Sequence, residues 1–239
     1  MLENKKIVVA GGGHAGIEAA LIINRLGYHC VMVTMNKDAI GRLSCNPAIG
    51  GLAKGHLVRE LDALGGVMGR VADSTTLQHK VLNKSKGRAV WSPRSQVDKI
   101  QYTKKVQKLI KNSKKITVVE DEVINFKIKN NKVESVLLKN QGSLKCSALI
   151  ITCGTFMSGL IHIGNKNFKG GRMGEKRSYG LTESLIDFGF TMKRLKTGTP
   201  PRAHTGSINW NSLEVADGDL NPQPFSMFTP KPFLPKNIP

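Results

Sequence analysis

Acidic residues are scarce in this chain: 17 Asp and Glu stand against 36 Lys and Arg, giving a formal charge of +19 over 239 residues. Such an excess attracts polyanions, nucleic acid first among them. A lysine-rich composition with no such partner is the plainer alternative, and "TKKVQKLIKNSKK" (103–115) reads as a solvated helix face with a basic turn rather than a reader of bases. No apolar run approaches the ~18 residues that suggest a membrane span. The run Ile7 to Ala10 is also too short for a secretory signal. The expectation is a soluble, cytoplasmic protein with reduced thiols. Four cysteines occur, Cys30, Cys45, Cys146 and Cys153, and none forms a C-x-x-C pair, so no zinc site is expected. Internal repeats and low-complexity tracts are missing, and 40% of the residues are hydrophobic, enough for a packed core.

Glycine is plentiful, and its placement carries information. Lys5 to Ala10 reads as a buried strand, and His14 to Leu26 as a helix with apolar residues at 17, 21, 22 and 26. Gly27 stops that helix, and His29 to Thr34 is a second apolar strand. Between the first strand and the helix lies Gly11-Gly12-Gly13-His14-Ala15-Gly16, a G-x-G-x-x-G turn. In a βαβ unit Gly11 permits the tight turn, Gly13 lets backbone approach a pyrophosphate, and Gly16 lets helix and strand pack closely. The helix head offers unpaired N–H groups and partial positive charge to the phosphates. A glycine turn serving packing alone is the competing interpretation. His14 either reaches the ligand or caps the helix.

The acid that usually binds a ribose at the end of the second strand is missing. Thr34, Met35 and Asn36 stand there, and Asp38 comes late. The later apolar strand Ala148 to Thr152, closed by Gly154, favours FAD over NAD as the dinucleotide. The fold class expected is α/β, a Rossmann-like FAD-binding domain of the two-dinucleotide-binding flavoprotein type, with the start of an inserted second domain.

The spacing predicts helices over 52–64, 94–111 and 181–188, and strands with a turn at Asn130-Asn131 within 116–140. Residues 67–93 read as mixed and turn-rich. The tail 221–239 contains six of the ten prolines and reads as an extended linker or an interrupted domain. Residues 1–200 are assigned to the FAD-binding domain and 201–239 to the beginning of an inserted domain or linker.

The stretch "SCNPAIGGLAKGHLV" (44–58) follows the second strand. Gly50 and Gly51 are expected to open a helix whose amides face the ligand. Cys45, near a helix head, is either a nucleophile or acid beside a flavin or a small packing residue. Cys30 and Cys153 lie in apolar strands and read as core; Cys146 has no evident partner. His56 and His162 read as packing or surface residues, and Trp91 and Trp210 as buried anchors or base-stacking platforms.

Six blocks, "GGGHAGIEAA", "SCNPAIGGLAKGHLVRELDALGG", "LNKSKGRAVWSPRSQVDK", "CGTFMSGLIHIG", "GGRMGE" and "RLKTGTPPR", resemble in order the signature segments of the MnmG (GidA) family. The resemblance implies the FAD-containing subunit of a bacterial enzyme that modifies the wobble uridine of certain tRNAs. With the GTPase MnmE it installs a carboxymethylaminomethyl or aminomethyl group at the five position of uracil. Methylenetetrahydrofolate supplies the carbon, and FAD with NADH handles the electrons. Carried over by motif, the resemblance implies FAD contacts at Gly11 to Gly16, Val123 and Ser178, and a catalytic role for Cys45. It further implies tRNA contacts at Lys84, Lys86, Arg172, Lys196 and Arg202, and a homodimer. Arg88 departs from the Pro common in "SKGPAV". Family members are far longer, so the sequence reads as an N-terminal fragment. A folate- and FAD-dependent tRNA uridine methyltransferase is a competing reading, opposed by the "SCNPAIGG" block. A non-catalytic flavin- or RNA-binding module is another.

Overall fold

The computed structural model describes residues 5–198 and 200–239. In chain order its elements are β1 (Lys6–Ala10), α1 (His14–Arg25), β2 (His29–Thr34), β3 (Ala48–Gly50), α2 (Lys54–Ala63) and α3 (Met68–Asp73). Next come β4 (Thr76–Leu82), β5 (Ser92–Val97), α4 (Lys99–Asn112), β6 (Ile116–Glu120), β7 (Val123–Lys129) and β8 (Lys132–Leu138). The last are β9 (Gly142–Lys145), β10 (Ala148–Ile151), β11 (Leu160–Ile163), β12 (Lys166–Lys169) and α5 (Leu181–Asp187).

The chain divides into two compact units: Met1–Gly41 with Val106–Arg194, and Arg42–Lys105 with Leu195–Pro239. This division differs from a single boundary at residue 200, because the segment after β2 leaves the first unit and returns only within α4.

The first unit is built on a parallel sheet in the order β10-β1-β2-β6. The inner residues of its two central strands, Ile7 to Ala10 and Cys30 to Val33, are apolar, as expected for strands covered on both faces. Val8, Val9, Met32 and Val33 are fully or almost fully buried. Helix α1 presents Ile17, Ala20 and Ile23 to the interior, one side of a 3.6-residue period. It ends in a Schellman motif, with Gly27 N–H donating to Asn24 O and Tyr28 N–H to Ile23 O, both at 3.1 Å. Gly27 takes φ +85°, as that cap requires. A second layer is the antiparallel meander β7-β8-β9, turned through Asn130 and Asn131 at positive φ. Val123, Val136, Leu138 and Cys146 of the meander share one core with Val8, Ala10, Val31 and Val33 of the parallel sheet and Leu181 of α5.

The second unit centres on the antiparallel sheet β3-β5-β4, with α2 and α3. One helix expectation fails here. The segment expected to open a helix at Arg94 is instead strand β5, and α4 begins at Lys99. Asp98 Oδ1 caps it, accepting from the backbone N–H of Ile100 and Gln101, each at 2.9 Å. Pairing of Arg94, Ser95 and Gln96 with β3 and β4 overrides their weak local preference. Residues 67–93, read as mixed and turn-rich, hold a helix, a strand and two short 3-10 turns.

The proline-rich tail is extended, as expected, yet it is packed. Ile238 N–H donates to Leu77 O at 2.9 Å, and Asn237 Oδ1 accepts from His79 N–H at 3.1 Å. Asp219 N–H donates to His79 O at 2.8 Å, and its carboxylate accepts from Val81 N–H at 3.0 Å. Further in, Asp73 accepts from the backbone N–H of Phe225 and Ser226, each at 2.9 Å, and from Thr229 Oγ1 at 2.5 Å. Residues 216–238 thus form a strap over β4. Under it His79 is wholly buried, edge-on to Phe225 and Phe233, with neither ring nitrogen hydrogen-bonded among the described residues.

Candidate functional site

The carboxyl ends of four parallel strands define the edge where open α/β sheets bind ligands, and the glycine turn lies there. Gly11 N–H donates to Val33 O at 2.8 Å, and Gly11 adopts φ +118°. A Cβ at Gly11 would stand 2.5 Å from Thr152 O, and one at Gly16 would overlap the Gly11 carbonyl. These two glycines allow β1, α1 and the end of β10 to meet. Thr152 Oγ1 completes the junction, donating to Ala10 O at 2.9 Å.

Gly13 is different. It has an ordinary φ of −76° as the N-cap of α1, and a Cβ there would meet nothing within 4 Å. The space beside it is open. The helix head has no side-chain cap and no acidic residue in its first turn to offset its positive field. A diphosphate fits that cradle: open approach at Gly13, backbone donors and no acidic residue in the first helical turn. His14 and Ala15 continue the turn as the first helical residues.

Val123 and Ser178 are drawn into one neighbourhood of the first unit. Glu122, buried just before Val123, accepts from Tyr179 N–H through Oε1 at 2.8 Å and from Lys139 Nζ through Oε2 at 3.1 Å. Val123 is buried in the core, leaving its backbone as the polar group it can offer a ligand. The Ser178 hydroxyl is buried with no partner among the described residues, a vacant donor and acceptor of the kind a bound polar group satisfies. Sequence reasoning overlooked the carboxylates behind this arrangement. Asp121 accepts from Glu122 N–H, Asn140 and Gln141 N–H at 2.8–3.2 Å. The adjacent acids after β6 were the available signal.

At the end of β2, Thr34 Oγ1 donates to Asn36 O at 3.3 Å. A carboxylate does stand beside it, carried by the neighbouring strand: Glu120 is the register partner of Thr34 and accepts from Lys37 N–H at 3.0 Å.

The four thiols separate clearly. Burial pushes Cys30 up to about 12 and Cys153 up to about 11, with Glu122 adding to the second, and burial also raises Cys146. These three stay protonated and inert. Cys45 alone is exposed. It belongs to the second unit, where its loop is pinned: Arg202 Nη2 donates to Ser44 O at 3.0 Å and to Cys45 O at 3.1 Å. Nearby, Lys54 Nζ donates to Ala48 O at 3.3 Å. Burial lowers the Lys54 ammonium, and the charge of Cys45 pulls it partly back. Gly50 and Gly51 do not open a helix. Gly50 ends β3, and α2 starts at Lys54 after Ala53 at positive φ.

The residues expected to meet RNA are unequal. Lys84 is ion-paired with Asp219 at 2.7 Å, and Arg172 with Glu175 at 3.6 Å. Arg172 also lies 5.4 Å from the Phe156 ring centroid. Arg202 is held by the Cys45 loop, while Lys86 and Lys196 are exposed. Arg88 lies over Trp91 at 5.7 Å. Trp210, His56 and His162 are exposed, so Trp210 is no buried anchor. No group of three or more His, Cys, Asp or Glu among the described residues is arranged to hold a metal ion. No helix among them is long and apolar enough to cross a membrane.

A family profile described as "Glucose inhibited division protein A" matches residues 6–238. The chain belongs to the GidA family. A relative from Aquifex aeolicus, named tRNA uridine 5-carboxymethylaminomethyl modification enzyme MnmG, is 48% identical over 223 residues, 93% of this chain and 36% of the relative. One of the same name from Chlorobaculum tepidum is 46% identical over 221 residues, 92% of this chain and 36% of the relative. The crystal structure of Aquifex aeolicus GidA superposes with a TM-score of 0.89 at 47% identity, covering 95% of this chain and 38% of that one. A GidA-related protein from Thermus thermophilus shares the fold alone, with a TM-score of 0.55 at 15% identity over 80% of this chain and 70% of its own. The chain therefore spans a little over a third of the length of the MnmG relatives it matches. The α/β architecture, with its parallel sheet and glycine turn, is the GidA fold.

Proposed function

We propose that this chain is the FAD-holding portion of a flavoenzyme that adds a carboxymethylaminomethyl or aminomethyl group to the five position of the wobble uridine of certain tRNAs. The observation that carries this reading is the open, uncapped glycine turn at Gly13, in a chain 46–48% identical over more than nine-tenths of its length to proteins named for that modification. FAD would supply the redox chemistry. Gly11 to Gly16 would hold its diphosphate with backbone amides, and the Val123 backbone and Ser178 hydroxyl would meet further polar atoms. The proposed co-substrates are NADH and methylenetetrahydrofolate, and the proposed partners are the GTPase MnmE and a second copy of the chain, in the cytoplasm. Lys86 and Lys196, both exposed, are proposed tRNA contacts; Lys84, Arg172 and Arg202 would first have to exchange the partners they hold.

Cys45 is proposed as the catalytic thiol, acting as nucleophile or acid on an exposed loop fixed by Arg202. Its companions Cys30 and Cys146 are buried, and the half-buried Cys153 thiol is pushed up to about 11, chiefly by desolvation. Cys45→Ser in the complete protein should leave flavin absorbance unchanged while modified uridine, measured by nucleoside mass spectrometry, falls at least tenfold. Undiminished modification returns Cys45 to a packing role. The broader reading is tested by purifying the chain and recording its visible spectrum. A yellow protein that binds tRNA supports it. A colourless preparation that still binds RNA favours a non-catalytic RNA-binding module.

A further inference from the structure

Helix α4 is rich in lysine and contains no acid: Lys99-Ile-Gln-Tyr-Thr-Lys-Lys-Val-Gln-Lys-Leu-Ile-Lys-Asn. One face is fixed in the interior by Tyr102, Val106 and Ile110, all nearly fully buried. With about 100° per residue, the direction opposite that face is occupied by Lys104, Lys108 and Lys111. All three are exposed, and none is ion-paired with a carboxylate among the described residues. They span about 10 Å along the axis at about 1.5 Å per residue. A duplex of the DNA type presents a phosphate about every 1.7 Å of its axis, both strands counted, so each ammonium has phosphates within reach.

The lysines of the meander provide the contrast. Lys127 lies 3.8 Å from Glu134 and Lys139 lies 3.1 Å from Glu122, so that surface mixes its signs. On α4 the charge is single-signed, linear and mounted on a packed helix. Fixing the helix beforehand lowers the ordering cost of meeting a polyanion.

We propose that the stripe Lys104–Lys108–Lys111 is a docking surface for the phosphate backbone of the tRNA. The proposal rests on the tRNA-modifying reading above and adds the surface that positions the RNA without reading its sequence. Its signature is ionic: each ammonium removed from a phosphate should reduce the slope of log affinity against log salt by about 0.7–0.9.

The test compares two variants of equal charge change, K104Q/K108Q/K111Q on α4 and K129Q/K132Q/K145Q on the meander. Unmodified tRNA binding is measured between about 50 mM and about 200 mM salt, and circular dichroism confirms that each variant is folded. In the α4 variant the slope should become shallower by about 2–3, while the meander variant stays close to the parent. An equal change in both variants, or none in the α4 variant, overturns the docking surface and leaves the function standing, because the parent still binds. Failure of the parent to bind tRNA at the lowest salt removes the tRNA reading and the docking surface together.

Discussion

Glycines in one short turn do unlike jobs, and single methyl groups separate them. At Gly16 an added Cβ would overlap the Gly11 carbonyl. Gly16→Ala should therefore force strand and helix apart, costing about 1–3 kcal/mol in chemical denaturation along with flavin. At Gly13 the same methyl meets only open space and an unstrained φ. Gly13→Ala should leave the stability within about 1 kcal/mol of the parent yet reduce the flavin-to-protein ratio on purification, because the methyl occupies the room the diphosphate needs. If Gly13→Ala retained full flavin, the open space would have no bearing on the cofactor. Both glycines were legible as a motif, since spacing alone flags them. Which one packs and which one admits a ligand was not, because that depends on how the turn folds back on itself and on Thr152, distant from it in sequence.

Among the elements, the strap over β4 supplies the clearest energetics. Asp73 receives two backbone N–H groups and one hydroxyl from the strap. Asp73→Ala would strand those donors, and a destabilisation of about 2–4 kcal/mol is expected, read from the urea midpoint. His79 beneath the strap adds a pH dependence. Burial lowers its imidazole to about 4; Asp219 opposes that shift, and Arg59 and Lys84 reinforce it. The unfolded imidazole titrates near 6.5, so between those values the unfolded chain binds the extra proton. The contribution of His79 to stability is thus complete above about pH 6.5 and declines as pH falls toward 4, by about 3 kcal/mol in full. Asp73, raised by burial, works in the opposite direction. Comparing the parent with His79→Phe isolates the histidine: the variant should lose less stability between pH 7 and pH 4.5, measured by thermal melts. The strands of the parallel unit were readable because their apolar runs are clean, whereas α1 buries Ile17, Ala20 and Ile23 and leaves Ile22 and Leu26, two of the apolar residues its spacing offered, exposed. Strand β5 and the strap were not. Arg94-Ser95-Gln96 has no alternation of its own, and a proline-rich tail shows no period, so both take their form from neighbours far along the chain. Asp98, a cap in plain sight, was the overlooked mark of where α4 begins.

At the scale of the whole molecule, charge and connectivity matter most. The excess of 19 positive charges and the solvated basic face within 103–115 were legible at once, whereas the alignment of Lys104, Lys108 and Lys111 on the outer side of α4 follows from Tyr102, Val106 and Ile110 being buried. The candidate site was legible to the extent that it is contiguous: residues 11–16 announce themselves, while the link from Glu122 to Tyr179 that gathers Val123 and Ser178 does not. The pairing of Arg202 with the carbonyls of Ser44 and Cys45 was equally hidden, since 157 residues separate donor from thiol. Arg202→Ala should accordingly lower modification by the complete protein, read by nucleoside mass spectrometry, because the loop that carries Cys45 loses its pin.

The sheet order has a temporal side. Strand β1 has β2 on one flank and β10 on the other, and Ala10 is paired with Ile151. At the usual pace of synthesis, about 5–20 residues per second, roughly 7–28 s separate the appearance of the two partners. Throughout that interval the nascent polypeptide carries a bare row of backbone donors and acceptors along Ile7 to Ala10, an invitation to a chaperone or to another unfinished copy.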